Sequence, residues 1–120
     1  GRRMGLGDVS GLVIPKPVLI SPPRNGGTFS ARYFMPHSCH KALAVTGAVG
    51  LATAAATAGT CVAALVGSGA DLCRIVIEHP SGALELAIDQ AADGTPIISV
   101  IRTARMILDG WVHLPPGFAL

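Results

Sequence analysis

The sequence predicts an α+β domain in which one long helix is enclosed by about six short strands, helix and sheet sharing one core. Three observations carry this. Residues 42–70 contain no charged side chain and are mostly Ala, Gly and Thr, and a helix without a polar face is surrounded by protein. Residues 72–90 change to a period of two on either side of Pro80-Ser81-Gly82, the pattern of a hairpin. The chain is 50% hydrophobic, 13% charged and 4% aromatic, with 15 Gly and 9 Pro in 120 residues. That composition describes a turn-rich folded piece with a small-residue core, not a disordered chain.

Residues 1–27 form a lead-in. GLGDVSG (5–11) is loop-like, and LVIPKPVLIS (12–21) is an apolar strand candidate interrupted by Pro15 and Pro17. Proline removes ladder donors, so this is an edge strand or a strand entry. SPPRNGG (21–27) is a turn cluster. TFSARYFM (28–35) mixes β-branched and aromatic residues and predicts a strand. Pro36 breaks it, and Ser38 is placed to cap a helix that runs to about Ala58. Gly59-Thr60 stops that helix, with a strand or loop to follow.

LCRIVIEH and ALELAIDQ form the hairpin, with Glu78, Glu85 and Asp89 pointing to water. AADGT (91–95) is a turn, PIISVIRTA (96–104) a strand, RMILDG a short irregular or helical piece, and WVHL (111–114) a final strand. The body of the fold is thus residues 28–115, and residues 116–120 are a frayed tail. Trp111 belongs to the core or to an interdomain surface. Cys61 and Cys73 read as small buried hydrophobes.

Several function classes recede. A net charge of +2 with scattered basic residues provides no phosphate-tracking stripe, so no nucleic-acid partner is expected. Three cysteines without a CxxC pair fit no zinc pattern, and reduced thiols place the protein in the cytoplasm. Residues 1–10 lack an apolar signal core, and the start GRRMGLG, without an initiating Met, reads as a fragment. The uncharged run exceeds the roughly 20 residues of a membrane span, which keeps a small membrane protein as an alternative. Ala, Gly and Thr gain little in hydrocarbon, however, so a buried helix and no membrane partner is the favoured reading.

Directly before the apolar run lie His37, Ser38, Cys39, His40 and Lys41. A helix N-terminus leaves N–H groups unpaired and carries partial positive charge, so it can seat a carboxylate or phosphate. The cluster reads either as an anion pocket with an acid/base thiol or imidazole, or as a capping Ser38 among exposed polar neighbours. A metal site from His37, Cys39 and His40 is a weaker third reading, because no carboxylate ligand lies nearby. His79 reads as a turn residue, and Ser81 and Gly82 as turn chemistry. Arg102 and Arg105 could bind a carboxylate bidentately but read first as exposed strand-end residues. Arg32 is a candidate support beside the helix mouth.

The segments ARYFMPHSCHKALAVTGAVGLA (31–52), EHPSGALELAI (78–88) and IRTARMILDGWVHLP (101–115), with the opening MGLGDVSGLVIPKPVLIS (4–21), resemble the C-terminal part of the PrpF family. That family includes aconitate and methylaconitate isomerases and 4-oxalomesaconate tautomerases. The resemblance implies a cofactor-free, metal-free isomerase that shifts a double bond by 1,3-proton transfer. Its substrate would be a small unsaturated di- or tricarboxylate such as 4-oxalomesaconate or methylaconitate. It also implies a diaminopimelate-epimerase-like fold, in which two similar domains each wrap a strand-rich barrel around a central helix and share an active-site cleft. On this footing Cys39 is the catalytic candidate, with His37, Ser38, His40 and Lys41 as substrate-binding residues.

The family's principal acid/base residues, a lysine among them, lie in a first domain to which nothing here corresponds. Residues 1–120 are then a single C-terminal domain with its barrel over 28–115 and central helix at about 38–58. Its natural partner is the N-terminal domain of the same enzyme, and a homodimer is left open. Such a chain supplies half a cleft and is expected to be inactive alone. The alternative is a non-catalytic truncated domain that only associates with a partner.

Overall fold

The computed structural model describes residues 1–35 and 37–117. After a single 3-10 turn at Arg2–Met4 come β1 (Val18–Ser21), β2 (Phe29–Met35), β3 (Ser38–Cys39), α1 (Val45–Ala56), α2 (Cys61–Val66), β4 (Arg74–His79), β5 (Gly82–Gln90) and β6 (Pro96–Val100). The molecule is α+β, as predicted. Its strands form one six-stranded sheet in the order β1-β2-β4-β5-β6, with β3 paired to β2. The sheet is open; it does not close into the expected barrel.

The sheet follows from alternation. On β4, Ile75 and Ile77 are fully buried and stand opposite Leu86 and Leu84 of β5. On β2, Phe29, Ala31 and Tyr33 share the same core. β2 and β4 run parallel, Phe29 beside Ile77 and Ser30 beside Glu78, so the connection between them must cross over the sheet. That crossover carries β3, α1 and α2. Among the described residues β1 pairs only with β2, which makes it the edge strand that its prolines imply. The hairpin between β4 and β5 closes His79 against Gly82 around Pro80-Ser81, in the expected place.

Helix α1 differs from expectation in start and in surroundings. It begins at Val45, seven residues after Ser38, because Ser38 and Cys39 are taken up as a strand against Met35 and Phe34. It buries one stripe, Ala48, Leu51, Ala52 and Ala55, at the i, i+3, i+4, i+7 spacing of a helix lying on a surface. Val45 on the other side is 49% exposed, and Thr46, Gly50, Thr53 and Ala56 are exposed. The helix lies on the sheet and is not enclosed by it. Alanine and glycine carry so little apolar area that leaving them in water costs little.

Further along, Gly59 takes φ +82 and Thr60 caps a second helix by accepting the Ala63 N–H at 3.1 Å, where a strand or loop was expected. No helix among the described residues is long and apolar enough to cross a membrane. β6 ends at Val100, and residues 111–114 form no strand; Trp111 is 96% exposed, so it is not core. Cys61 and Cys73 are exposed as well. Of the predicted tail only Pro116 and Gly117 fall within the described residues, and the strand-breaking role given to Pro36 lies outside them.

Glu78 is the sharpest departure. Expected in water, it is buried at 6% exposure. Alternation does put it on the sheet face opposite Ile77, but the 24–27 loop folds over that face. Arg24, Asn25 and Gly27 donate their backbone N–H groups to its carboxylate at 2.8, 2.6 and 3.0 Å, and the Ser30 hydroxyl donates at 2.7 Å. Glu85 is also less free than expected, since Arg74 grips it with two 2.7 Å bonds. Asp89 is exposed, as predicted.

Candidate active site

The candidate site is assembled at the end of the sheet from which α1 departs. β3 pairs antiparallel with the end of β2, and the His40 N–H continues this ribbon by donating to the Tyr33 carbonyl at 2.8 Å. The His40 ring meets the Tyr33 ring edge-on, centroids 6.3 Å apart at 85°. Its Nδ1 accepts the Ala42 N–H at 3.0 Å. The residue at the start of α1, Ala44, has no capping side chain, so no serine hydroxyl competes for the first-turn N–H groups.

The β4–β5 tip reaches the same place. The Ser81 hydroxyl donates to the Lys41 carbonyl, and the Ser81 N–H donates to His79 Nδ1 at 3.3 Å. His79 is half-buried. Its pKa is pushed below the ordinary 6.5, first by burial and next by the charge of His40; a hydrogen bond with the Ala83 backbone opposes this, and the charges of Arg32 and Arg102 add to it. These groups come from four separate parts of the chain, and every charge named is basic. Past β6 the Ile101 N–H still donates to the Glu85 carbonyl at 3.0 Å, which carries Arg102 alongside β5 toward this end. His40, Arg32 and Arg102 thus act electrostatically on His79, beside a helix start that has no side-chain cap.

The five residues picked from the sequence are distributed unevenly around this point. His40 and Lys41 lie at its centre. His37, Ser38 and Cys39 are exposed on the ribbon beside it, and the Cys39 thiol donates to the His40 carbonyl at 3.7 Å. In the register Cys39 stands opposite Phe34, and His40 follows with its N–H on the Tyr33 carbonyl. Sequence reasoning gave His79, Ser81 and Arg102 turn or solvent roles. The pointer toward them was the position of EHPSG at a hairpin tip, since loop residues held by a rigid scaffold often do the chemistry. Among the described residues no group of three His, Cys, Asp or Glu is placed to hold a metal ion.

The family described as "PrpF protein" matches residues 1–115. The chain is 53% identical over 117 residues to "Putative isomerase YbhH" of Escherichia coli K12, which covers 96% of this chain and 33% of that protein. It is 44% identical over 113 residues to the 4-oxalomesaconate tautomerase of Pseudomonas putida, 93% of this chain and 31% of that one. A (4E)-oxalomesaconate Delta-isomerase of Novosphingobium is 39% identical over 117 residues, 95% of this chain and 32% of that one. The chain therefore spans about a third of the length of the curated relatives it matches.

Proposed function

The chain belongs to the PrpF family, and from that premise we propose that it supplies one wall of an isomerase active site acting on a small unsaturated di- or tricarboxylate. The reaction is a 1,3-proton transfer without cofactor: one carbon loses a proton, a carbon two bonds away gains one, and the double bond moves between them. 4-Oxalomesaconate and methylaconitate are the substrates to try first, since relatives are named for oxalomesaconate and 2-methylaconitate isomerisation.

One observation carries the reading. The Ser81–Lys41 hydrogen bond ties the His79 hairpin tip to the His40 loop at the start of α1, where Arg32 and Arg102 also bear on His79. Lys41, His40, His37 and Ser38 are the proposed contacts to substrate carboxylates, joined by His79 and Arg102. Cys39, exposed one residue from His40, is the proposed proton carrier of this half. Fixed donors around a developing enolate supply the electrostatic stabilisation that such a transfer needs. The other wall belongs to the N-terminal domain of the same cytoplasmic enzyme. In that assembly the sheet that is open here is part of a diaminopimelate-epimerase-like barrel.

The test compares this chain with the full-length protein that contains it, both assayed for 4-oxalomesaconate and methylaconitate isomerisation. The chain alone is expected to give no turnover and the full-length protein to turn over at least one of the two acids. In the full-length protein, Cys39→Ser should lower kcat by about 10²–10⁴ if the thiol carries a proton, and His40→Gln should chiefly raise KM. Robust turnover by the 120-residue chain, or none by the full-length protein, overturns the proposal.

A further inference from the structure

On the sheet face away from the core, β1 and β2 carry a pocket apart from the candidate active site. The register sets Leu19 directly opposite Arg32 and Ser21 directly opposite Ser30. Residues two apart on a strand share a face, so these four lie together. Phe29, Ala31 and Tyr33 alternate with them and belong to the core on the other face. Arg24, from the turn between the two strands, joins the lining, and the space enclosed is about 350 Å³, within the range of small-ligand sites. The turn is held in place. Glu78 accepts the N–H groups of Arg24, Asn25 and Gly27, and the Ser30 hydroxyl beside them. Arg24 therefore stands at the pocket on a backbone already fixed, which spares a ligand the cost of ordering the loop.

The chemistry of the lining is lopsided. Two arginines contribute to it and no acid does. Glu78 does not neutralise them, since its four bonds come from backbone N–H groups and a hydroxyl, none from a guanidinium. Arg32 spends one N–H on the Ala31 carbonyl at 3.0 Å, out of the five that a guanidinium carries. The Arg74–Glu85 ion pair involves neither arginine. Beside them Leu19 leaves an apolar side chain 63% exposed. We propose that this pocket binds a small organic acid, its carboxylate head taken by Arg24 and Arg32 and its short apolar body laid on Leu19. His40, Lys41 and His79 are not in the lining, so the inference holds whichever acid the isomerase site accepts. Arg32 also bears on His79 and is left intact in the test.

Isothermal titration of the full-length protein containing this sequence, with octanoate as the probe, tests the proposal. The wild type should bind with a dissociation constant of about 1 mM or tighter. Arg24→Gln should weaken binding about tenfold or more by removing a charge-assisted pair, and Leu19→Ser about threefold to tenfold by removing apolar cover. Both side chains are exposed, and the Arg24 N–H that Glu78 uses survives the substitution, so both variants should keep the wild-type thermal midpoint. Octan-1-ol, which has the body without the charge, should bind at least about tenfold more weakly than octanoate. His40→Gln should leave octanoate affinity unchanged, which separates this pocket from the isomerase site. Failure of the wild-type protein to bind octanoate overturns the proposal. So does affinity indifferent to Arg24→Gln and Leu19→Ser, equal binding of octan-1-ol, or loss of octanoate binding in His40→Gln.

Discussion

Ser30 donates its hydroxyl to the carboxylate of Glu78 at 2.7 Å, and both residues are buried where β2 and β4 run side by side. The bond is one of four to that carboxylate, and the other three come from the backbone of the 24–27 loop. A single acid thus fastens the lead-in turn to the sheet. A Cβ placed on Gly27 would crowd the Glu78 side chain and the Val76 carbonyl, so the loop approaches this closely only because residue 27 has no side chain.

The carboxylate is held down at about 2, against an ordinary 4.5. The Arg24 N–H contributes most, then the Ser30 hydroxyl and the Gly27 N–H; burial opposes them and the Asn25 N–H adds a little. A depressed folded-state value means the unfolded chain takes up the proton first as pH falls. The stabilisation is therefore fully present above about pH 4.5 and fades as pH drops toward 2. Urea midpoints measured across this range should fall for the wild type more steeply than for Glu78→Gln, and the two curves should converge near the acid end. Parallel curves would show that the four bonds contribute nothing specific to the ionised form.

How much of this was legible depended on how local the cause was. The β4–β5 hairpin is written in adjacent residues, with alternating Ile75, Ile77, Leu84 and Leu86 around a Pro-Ser turn, and it was read correctly. Alternation also put Glu78 on the far face, but the loop that buries it lies some fifty residues earlier in the chain, beyond any local pattern. Ser38 has the chemistry of a helix cap, yet pairing with Met35 captures it, and α1 starts at Val45 after an Ala44 that offers no side-chain cap. WVHL has strand-forming residues but no strand beside it among the described residues. His40 and Lys41 were conspicuous at the mouth of the apolar run, whereas His79, Ser81 and Arg102 reach the site only through tertiary pairing of distant segments.

Two glycines of α1 should respond in opposite ways to alanine. At Gly50 nothing lies within reach of an added Cβ, so Gly50→Ala should stabilise by about 0.5–1 kcal/mol through helix propensity alone. At Gly47 the added Cβ would overlap the Tyr33 ring, a core side chain at 8% exposure. Overpacking costs about 1–3 kcal/mol and outweighs the propensity gain. Thermal midpoints should rise for Gly50→Ala and fall for Gly47→Ala. A rise in both would mean that the Tyr33 ring moves aside freely.

Ser81→Ala removes the hydroxyl that ties the hairpin tip to the Lys41 carbonyl. The site is exposed, so global stability should fall by only about 0.5–1.5 kcal/mol. The larger effect should be local. Hydrogen exchange should quicken at Ala42, whose N–H is held by His40, while Ile77 and Leu86 in the buried ladder exchange as before. Uniform acceleration of all these amides would instead indicate a global loss with no special tether.

His79 gives the site a titration signature. Burial and the neighbouring charges of His40, Arg32 and Arg102 hold its pKa below the ordinary 6.5. The folded state resists the proton that the unfolded chain accepts. This group's contribution to stability is therefore present above about pH 6.5 and is lost as pH falls below it. Imidazole resonances followed by NMR should show His79 titrating below the ordinary value, and rising toward it in His40→Gln and, by a smaller step, in Arg102→Gln. A tricarboxylate that settles among these basic groups favours the charged imidazole, so added citrate should raise the His79 pKa in the wild type and do so less in Arg102→Gln. A His79 titration indifferent to citrate and to both substitutions would mean that the basic groups do not act on one another across the space between the hairpin tip and the start of α1.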